Sequence, residues 1–373
     1  PPSYESYLEG LTMDGIASSD GKITGFYSDS IMPLMDMHIV LYEGNIKYSS
    51  LPFPLSNTKG DCVFHSDLTN DNVTYFKINS FSATTPKSSF TTRGKIDHLF
   101  SDIFIDLTTD ANFDLTEAAP MMPADLKMTV KGNANGSVRT AFSMAMLDKM
   151  QIDRMIFSGS VALSNFDVTY DTIYLKADKA KVDFSLPNPK PTKKSLRFLY
   201  SKIEGNTILA GTSKSYKANL NNALISLETS DVMDTTKLPD VACSFIVDSL
   251  AASMDSIKFT SSKPSGKFTM ITTKEKKSKD FLEVEYSNSH MSTSMGSKIS
   301  MRMSKSSLSA NVLDFFGKPE VSLKYTGNGI AAQMDTISIK MDNAQVNADV
   351  ADINQPKIKF AYNGDNLNIE MGK

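Results

Sequence analysis

Ile337-Ser338-Ile339-Lys340-Met341, Val346-Asn347-Ala348-Asp349-Val350, Ile358-Lys359-Phe360-Ala361-Tyr362 and Leu367-Asn368-Ile369-Glu370-Met371 close this chain with four segments in which large apolar and polar or small side chains alternate. A period of two is the signature of a strand with one dry face and one wet face. Between the last two segments stands Asn363-Gly364-Asp365-Asn366, turn chemistry in which Gly and Asn accept positive φ. The ending therefore predicts four consecutive strands in a meander.

The same alternation runs outward through the chain. It appears in Met155, Phe157, Gly159, Val161 and Leu163; in Ile103, Ile105 and Leu107; in Ile299, Met301 and Met303; and in Val321, Leu323 and Tyr325. No segment of twelve or more residues keeps a 3.6 period. The nearest, Ala141 to Met150, continues the alternation of Val138, Thr140 and Phe142 into Met144 and Met146, with Gly136 and Ser143 as poor helix material, so it reads as strand then loop. The fold class expected is all-β, with about two dozen short strands.

Three stretches nearly repeat one another: Tyr170-Asp171-Thr172-Ile173, Met254-Asp255-Ser256-Ile257 and Met334-Asp335-Thr336-Ile337. Asp followed by Ser or Thr and a β-branched Ile suits a turn leading into a strand, where the carboxylate accepts a backbone N–H two residues on. A motif that recurs without chemistry is a building rule, and it points to a sheet made of repeats.

Composition narrows the function classes. With 373 residues and 40% hydrophobic content the chain is long enough to fold as two domains or one extended repetitive one. A formal net charge of -3 offers no general attraction to nucleic acid or an anionic membrane. No run of 18 apolar residues spans a bilayer. No signal peptide is visible at Pro1 to Gly10, and because the chain opens with Pro1-Pro2 rather than Met that absence is uninformative. Cys62 and Cys243 fit neither a disulfide framework nor a zinc site; two buried free thiols or one long-range disulfide remain. Tryptophan is absent while methionine reaches 21, a surplus that suits either a lining that adapts to different ligands or a soft core.

Chemistry is sparse. The four histidines, His38, His65, His98 and His290, lie apart without a second ligand at metal spacing. Neither a nucleophile elbow nor a phosphate loop nor a dinucleotide fingerprint occurs. Asp106 with Asp110, or Asp231 with Asp234, could serve as a carboxylate pair in a glycan-acting enzyme. The expectation is no catalytic residue, no metal and no cofactor. Lys274 to Lys279, a dense basic run, reads as a solvated hairpin tip. Pro187 to Ser195, with three prolines, reads as an extended, solvated connection between an N-terminal half, residues 1–188, and a C-terminal half, residues 196–373, or as a seam within one continuous sheet.

Ile105 to Leu115, Pro123 to Ser137, Met155 to Val168 and Ile173 to Phe184 together resemble the core of the AsmA-like proteins of Gram-negative envelopes. Leu51 to Gly60, with Pro52 and Pro54, is similar to that family's turn into a new repeat. The resemblance covers Leu51 to Leu186 and reaches the second half only through the repeat. It implies an extended, curved antiparallel sheet with an apolar concave face, similar to the bridge-like lipid-transfer proteins, in a periplasmic protein anchored to the inner membrane and supporting outer-membrane biogenesis. A groove lined by Met144, Met146, Phe157, Val161, Leu175 and Phe184 would hold phospholipid or another acyl lipid, each buried methylene contributing about 0.8 kcal/mol. The alternative is a structural β protein whose apolar faces close on each other and which docks an envelope protein partner. Nucleic acid is not expected as a ligand.

Overall fold

The computed structural model describes residues 10–26, 33–49, 51–67, 70–121, 128–211, 216–234, 238–272, 280–350 and 358–371. The basic run Lys274 to Lys279 lies outside the described residues. The chain is all-β, and its strands pair antiparallel. It divides into two compact units, Pro1–Phe166 with Asp183–Pro187, and Asp167–Val182 with Asn188–Lys373.

The first unit is a meander of β1 (Leu11–Thr24), β2 (Leu34–Tyr48), β3 (Ser56–Ser66), β4 (Tyr75–Thr84), β5 (Ser89–Asp97), β6 (Phe104–Asp114) and β7 (Met128–Ser143), each paired with the next. It also takes the first part of β8 (Ile156–Tyr170) and the last of β9 (Ile173–Leu186). Bulges shift the register at Ile16/Ala17, Asp61/Cys62 and Ile78/Phe81. After β7 the expected strand-then-loop is instead a short helix, α1 (Met144–Asp148). Ser143 caps it by accepting from the Met146 backbone N–H at 3.2 Å, and this local bond outcompetes the ladder that alternation alone would favour.

After Asp167–Val182, the second unit takes up the chain again at Asn188, between β9 and β10 (Leu199–Gly211). Its prolines predict a solvated connection, yet the segment is held down. Asn188 donates through its backbone N–H to Arg197 O and through Nδ2 to Leu196 O, both at 2.9 Å. Thr192 donates twice to Glu228 Oε2 at 2.9 Å, and Leu196 has 0% exposure.

From β11 (Tyr216–Thr229) onward, long arms run up and down. Four of them consist of two strands each: β12 (Val241–Ile246) with β13 (Ser249–Met254), β14 (Ile257–Ser262) with β15 (Ser265–Ile271), β16 (Phe281–Asn288) with β17 (His290–Met295), and β18 (Ile299–Met303) with β19 (Lys305–Leu313). Then come two unbroken arms, β20 (Glu320–Met334) and β21 (Ile337–Val350), and a last divided one, β22 (Ile358–Asp365) with β23 (Asn368–Met371). Both members of a divided arm pair with the same neighbouring arms, as β22 and β23 do with β21.

The ending of the chain is thus two long arms rather than four strands. Asn363–Asn366 is not a hairpin turn but an irregularity within one arm, with Asn366 at φ 54°. In β20 and β21 two consecutive exposed residues, Asn328–Gly329 and Asp342–Asn343, interrupt the alternation of burial and reverse its phase. The phase change keeps Val321, Leu323 and Tyr325 on the same side as Ile330, Ala332 and Met334. Neighbouring arms break in the same row, joined there by Asp248 N–H to Asn221 O, Lys263 N–H to Asp248 O, Ser289 N–H to Ser262 O and Ser304 N–H to Asn328 O. The extra residue at these breaks reverses the parity of the arm and so keeps apolar side chains on one face along its whole length.

The hairpins at Asp171, Asp255 and Asp335 share a backbone conformation: two-residue loops whose aspartate has φ 49°, 51° and 51°. Asp tolerates that left-handed region better than most residues, which explains its presence at each site.

Candidate functional site: an apolar sheet face

Strand register assigns each side chain to a face. In the second unit Ile225, Phe245, Gly266, Tyr286, Leu308, Tyr325 and Val346 stand directly opposite one another across successive arms. The next row on that face is Leu227, Cys243, Phe268, Val284, Ala310, Leu323 and Ala348. Beyond the line of bulges the rows continue as Ala218, Ala252, Phe259, Thr293, Met301, Ala332 and Ile339, ending at the hairpin tips with Tyr216, Met254, Ile257, Met295, Ile299, Met334 and Ile337. The intervening positions are polar: Ser226, Ser244, Lys267, Glu285, Ser309, Lys324 and Asn347 form one such row.

Aromatic rings repair the gaps that glycines leave in the apolar rows. The ring of Phe245 lies across Gly266 and reaches towards Tyr286, 6.5 Å between centroids. In the first unit Phe184 covers Gly159 and meets Phe157 at 4.9 Å. A side chain laid over a glycine restores contact area that the missing Cβ forfeits.

Of the groove residues read from the sequence, Phe157 and Phe184 come together in this way, with Val161 two positions from Gly159 along β8. Leu175 lies on β9 in the second unit, half-buried. Met144 and Met146 are carried on α1, so their place on an alternating strand face is corrected. Sequence reading missed the larger apolar expanse of the second unit because its parity reverses in mid-strand.

Little of this face is sealed. Among the described residues twelve apolar side chains are buried, and six of those are alanines. On the apolar rows Ile225, Phe245, Tyr286, Leu308 and Tyr325 are half-buried, while Phe268 at 37% and the hairpin-tip residues up to Met254 at 56% are exposed. A hollow of about 210 Å³ lies on this face between Tyr216, Ala218, Ala252, Met254, Ile257 and Phe259. Two larger hollows are present: in the second unit a furrow of about 630 Å³ lined by Phe245, Ile246, Tyr286 and Leu308 as well as Ser265, Lys267, Ser307 and Lys324, and in the first unit one of about 550 Å³ among Ser82, Phe90, Thr91, Asp110, Asn112 and Ser137. Hydroxyls along the furrow bond one another, as Ser265 with Ser287 at 2.9 Å and Ser307 with Thr326 at 2.6 Å.

The candidate carboxylate pair is divided between two ion pairs. Arg139 clamps Asp106 at 2.9 and 2.8 Å, while Arg93 takes Asp110 at 2.5 Å. These bonds, with that of Ser137 to Asp110, hold both carboxyls below the usual range. Asp231 accepts from the Met233 backbone N–H at 2.9 Å. Cys62 and Cys243 are free thiols; burial pushes both up, away from the thiolate that a nucleophile needs. Among the described residues no group of three or more His, Cys, Asp or Glu could hold a metal ion, and no helix is long and apolar enough to cross a membrane. Compared with known proteins, the chain matches no family model, no curated protein and no solved structure.

Proposed function

We propose that this chain is a non-enzymatic lipid-binding protein whose apolar sheet face takes up acyl chains. One observation carries the reading: apolar rows run across successive arms of the second unit, half-buried over most of their length and exposed at Phe268 (37%) and along the hairpin-tip row, up to Met254 at 56%. A sheet face of this kind needs cover, and a flexible hydrocarbon chain meets that need without specific polar contacts. Methionine and phenylalanine provide an adaptable lining, and each methylene removed from water contributes about 0.8 kcal/mol. The setting proposed with it rests on the AsmA-like resemblance of Leu51 to Leu186: a periplasmic protein anchored to the inner membrane through a segment outside this sequence, handling phospholipid in outer-membrane biogenesis.

Native mass spectrometry of the purified protein tests this, with phospholipid expected to co-purify and a fluorescent fatty acid to be taken up after delipidation. Phe268→Asp and Met254→Asp should each reduce uptake at least tenfold while leaving the far-ultraviolet β signal intact, because an open face tolerates a charge that a closed core does not. A lipid-free protein that also ignores the probe defeats the proposal. If the Asp variants unfold, the faces are closed cores and docking of a protein partner becomes the better reading.

A further inference from the structure

Five methionines gather on the hairpin β17–β18 and the adjoining end of β20. Met301 stands opposite Thr293 on one side and Ala332 on the other. Both neighbours are short, so the centre of the patch has a low floor. Around it, on the same face, stand Met291 and Met303, which are direct partners, and Met295 and Met334, which flank Ile299 on either side. Diagonal neighbours in an antiparallel sheet are about 7–8 Å apart, within reach of two unbranched side chains leaning towards each other. Met303 is 5% exposed, and its sulfur accepts a hydrogen bond from the Tyr325 hydroxyl, leaving a second lone pair free. Met295 and Met334 are open to solvent, so the patch is accessible from the tip of the hairpins.

We infer that Met291, Met295, Met301, Met303 and Met334 form a binding site for a soft monovalent metal ion, Cu(I) or Ag(I). Thioethers are neutral, polarizable donors that favour such ions over hard cations, and three of them suffice for a d10 centre without any geometric preference. No charged side chain shares these rows with the methionines, which disfavours Mg(II), Ca(II) and Zn(II). Rotation about the three χ angles of each methionine lets the sulfurs converge over Thr293 and Ala332 without moving the backbone. Met295, Met301 and Met334 belong to the apolar rows assigned to lipid, so acyl chains and the ion would compete for them; the test therefore uses delipidated protein, in which failure of metal binding leaves the lipid reading standing.

Free thiols bind the same ions, so the full chain carrying Cys62→Ser and Cys243→Ser is titrated with Ag(I) by calorimetry. One equivalent is expected to bind. Met291→Leu/Met301→Leu/Met303→Leu should weaken it at least tenfold, since leucine keeps the volume and loses the donor. Met13→Leu/Met121→Leu, at exposed methionines elsewhere, should leave it unchanged. Should the triple variant misfold, methionine-methyl NMR of the cysteine-free protein decides: Ag(I) must shift the resonances of these five methionines ahead of the rest. Equal weakening by both sets of substitutions, or methyl shifts spread over all methionines, overturns the assignment.

Discussion

Glu117 lies in a 3-10 helix, Leu115–Met121, and is buried. Its carboxylate accepts from Thr85 Oγ1 at 2.5 Å, from the Lys87 backbone N–H at 3.0 Å, and from Ser88 Oγ, tying the helix to the hairpin between β4 and β5. Removing the acceptor strands those donors away from water, a cost of about 1–3 kcal/mol. Glu117→Ala should lower the urea midpoint accordingly, whereas a loss under about 0.5 kcal/mol, the scatter of surface substitutions, would mean that water replaces the carboxylate. His38 makes a smaller, pH-dependent contribution. Its Nε2–H donates to Asp61 Oδ1 at 3.1 Å, with Asp20 on its other nitrogen at 3.5 Å. The hydrogen bond to Asp61 raises the His38 pKa above 6.5. Bonds from Asn79 and His38 lower that of Asp61 below 3.8. A raised histidine stabilises fully below its unfolded value and loses that contribution as pH rises through the folded one; a lowered aspartate contributes above its unfolded value and loses it as pH falls. The difference in thermal midpoint between wild type and His38→Gln should therefore be greatest between pH 3.8 and 6.5 and shrink towards alkaline pH. Both groups are exposed, so the effect is small; growth of the difference towards alkaline pH would assign it to another cause.

Within the strand arms, mid-strand bulges decide which residues share a face. Gly329 and Gly296 have nearly the same left-handed backbone, φ 56° and 59°, but a Cβ at Gly329 would collide with Ser304 Oγ, while at Gly296 nothing lies within 4 Å. Each Gly→Ala change costs about 1–2 kcal/mol for the backbone conformation, and Gly329→Ala should lose additional stability to the clash. In a Ser304→Ala background most of the difference should vanish, with only the contact to the residue 304 Cβ at 3.2 Å remaining; a gap undiminished by Ser304→Ala would show that the hydroxyl is not its cause. These bulges also explain what the sequence could reveal. The alternation in Ile337, Ile339 and Met341 and in Val346, Ala348 and Val350 establishes strand and apolar face correctly. A reversal of phase, however, is produced equally by a turn and by an inserted residue, and Asn363-Gly364-Asp365-Asn366 has the chemistry for both. Only long-range pairing with β21 separates them, and that information is not local. Met144 and Met146 are hidden for a related reason: a single side-chain cap at Ser143 turns an alternating run into a helix. Asp171, Asp255 and Asp335, by contrast, are legible as turns because the left-handed conformation is a local demand met by a local residue.

For the molecule as a whole, apolar faces can be read from the sequence but their cover cannot, since covering depends on which surfaces meet after folding. Six of the twelve buried apolar residues among those described are alanines, and the exposed side chains of the apolar rows keep area whose burial would add stability. A ligand that binds only the folded state adds RT ln(1 + [L]/Kd), about 2.7 kcal/mol at a hundredfold excess over Kd. Delipidated protein should consequently bind an anilinonaphthalene dye in its native state, and saturating fatty acid should displace the dye and raise the urea midpoint by an amount that tracks ligand concentration. Phe268→Asp should abolish both responses while Gly296→Ala, at an open hairpin tip, keeps them. Because unfolding exposes the bound chain as well as the protein face, the calorimetric heat-capacity change should also be larger for the loaded protein than for the empty one. Dye that stays dark on native, lipid-free protein, together with a midpoint indifferent to fatty acid, would show that the apolar rows are already covered and that acyl chains have no place on them.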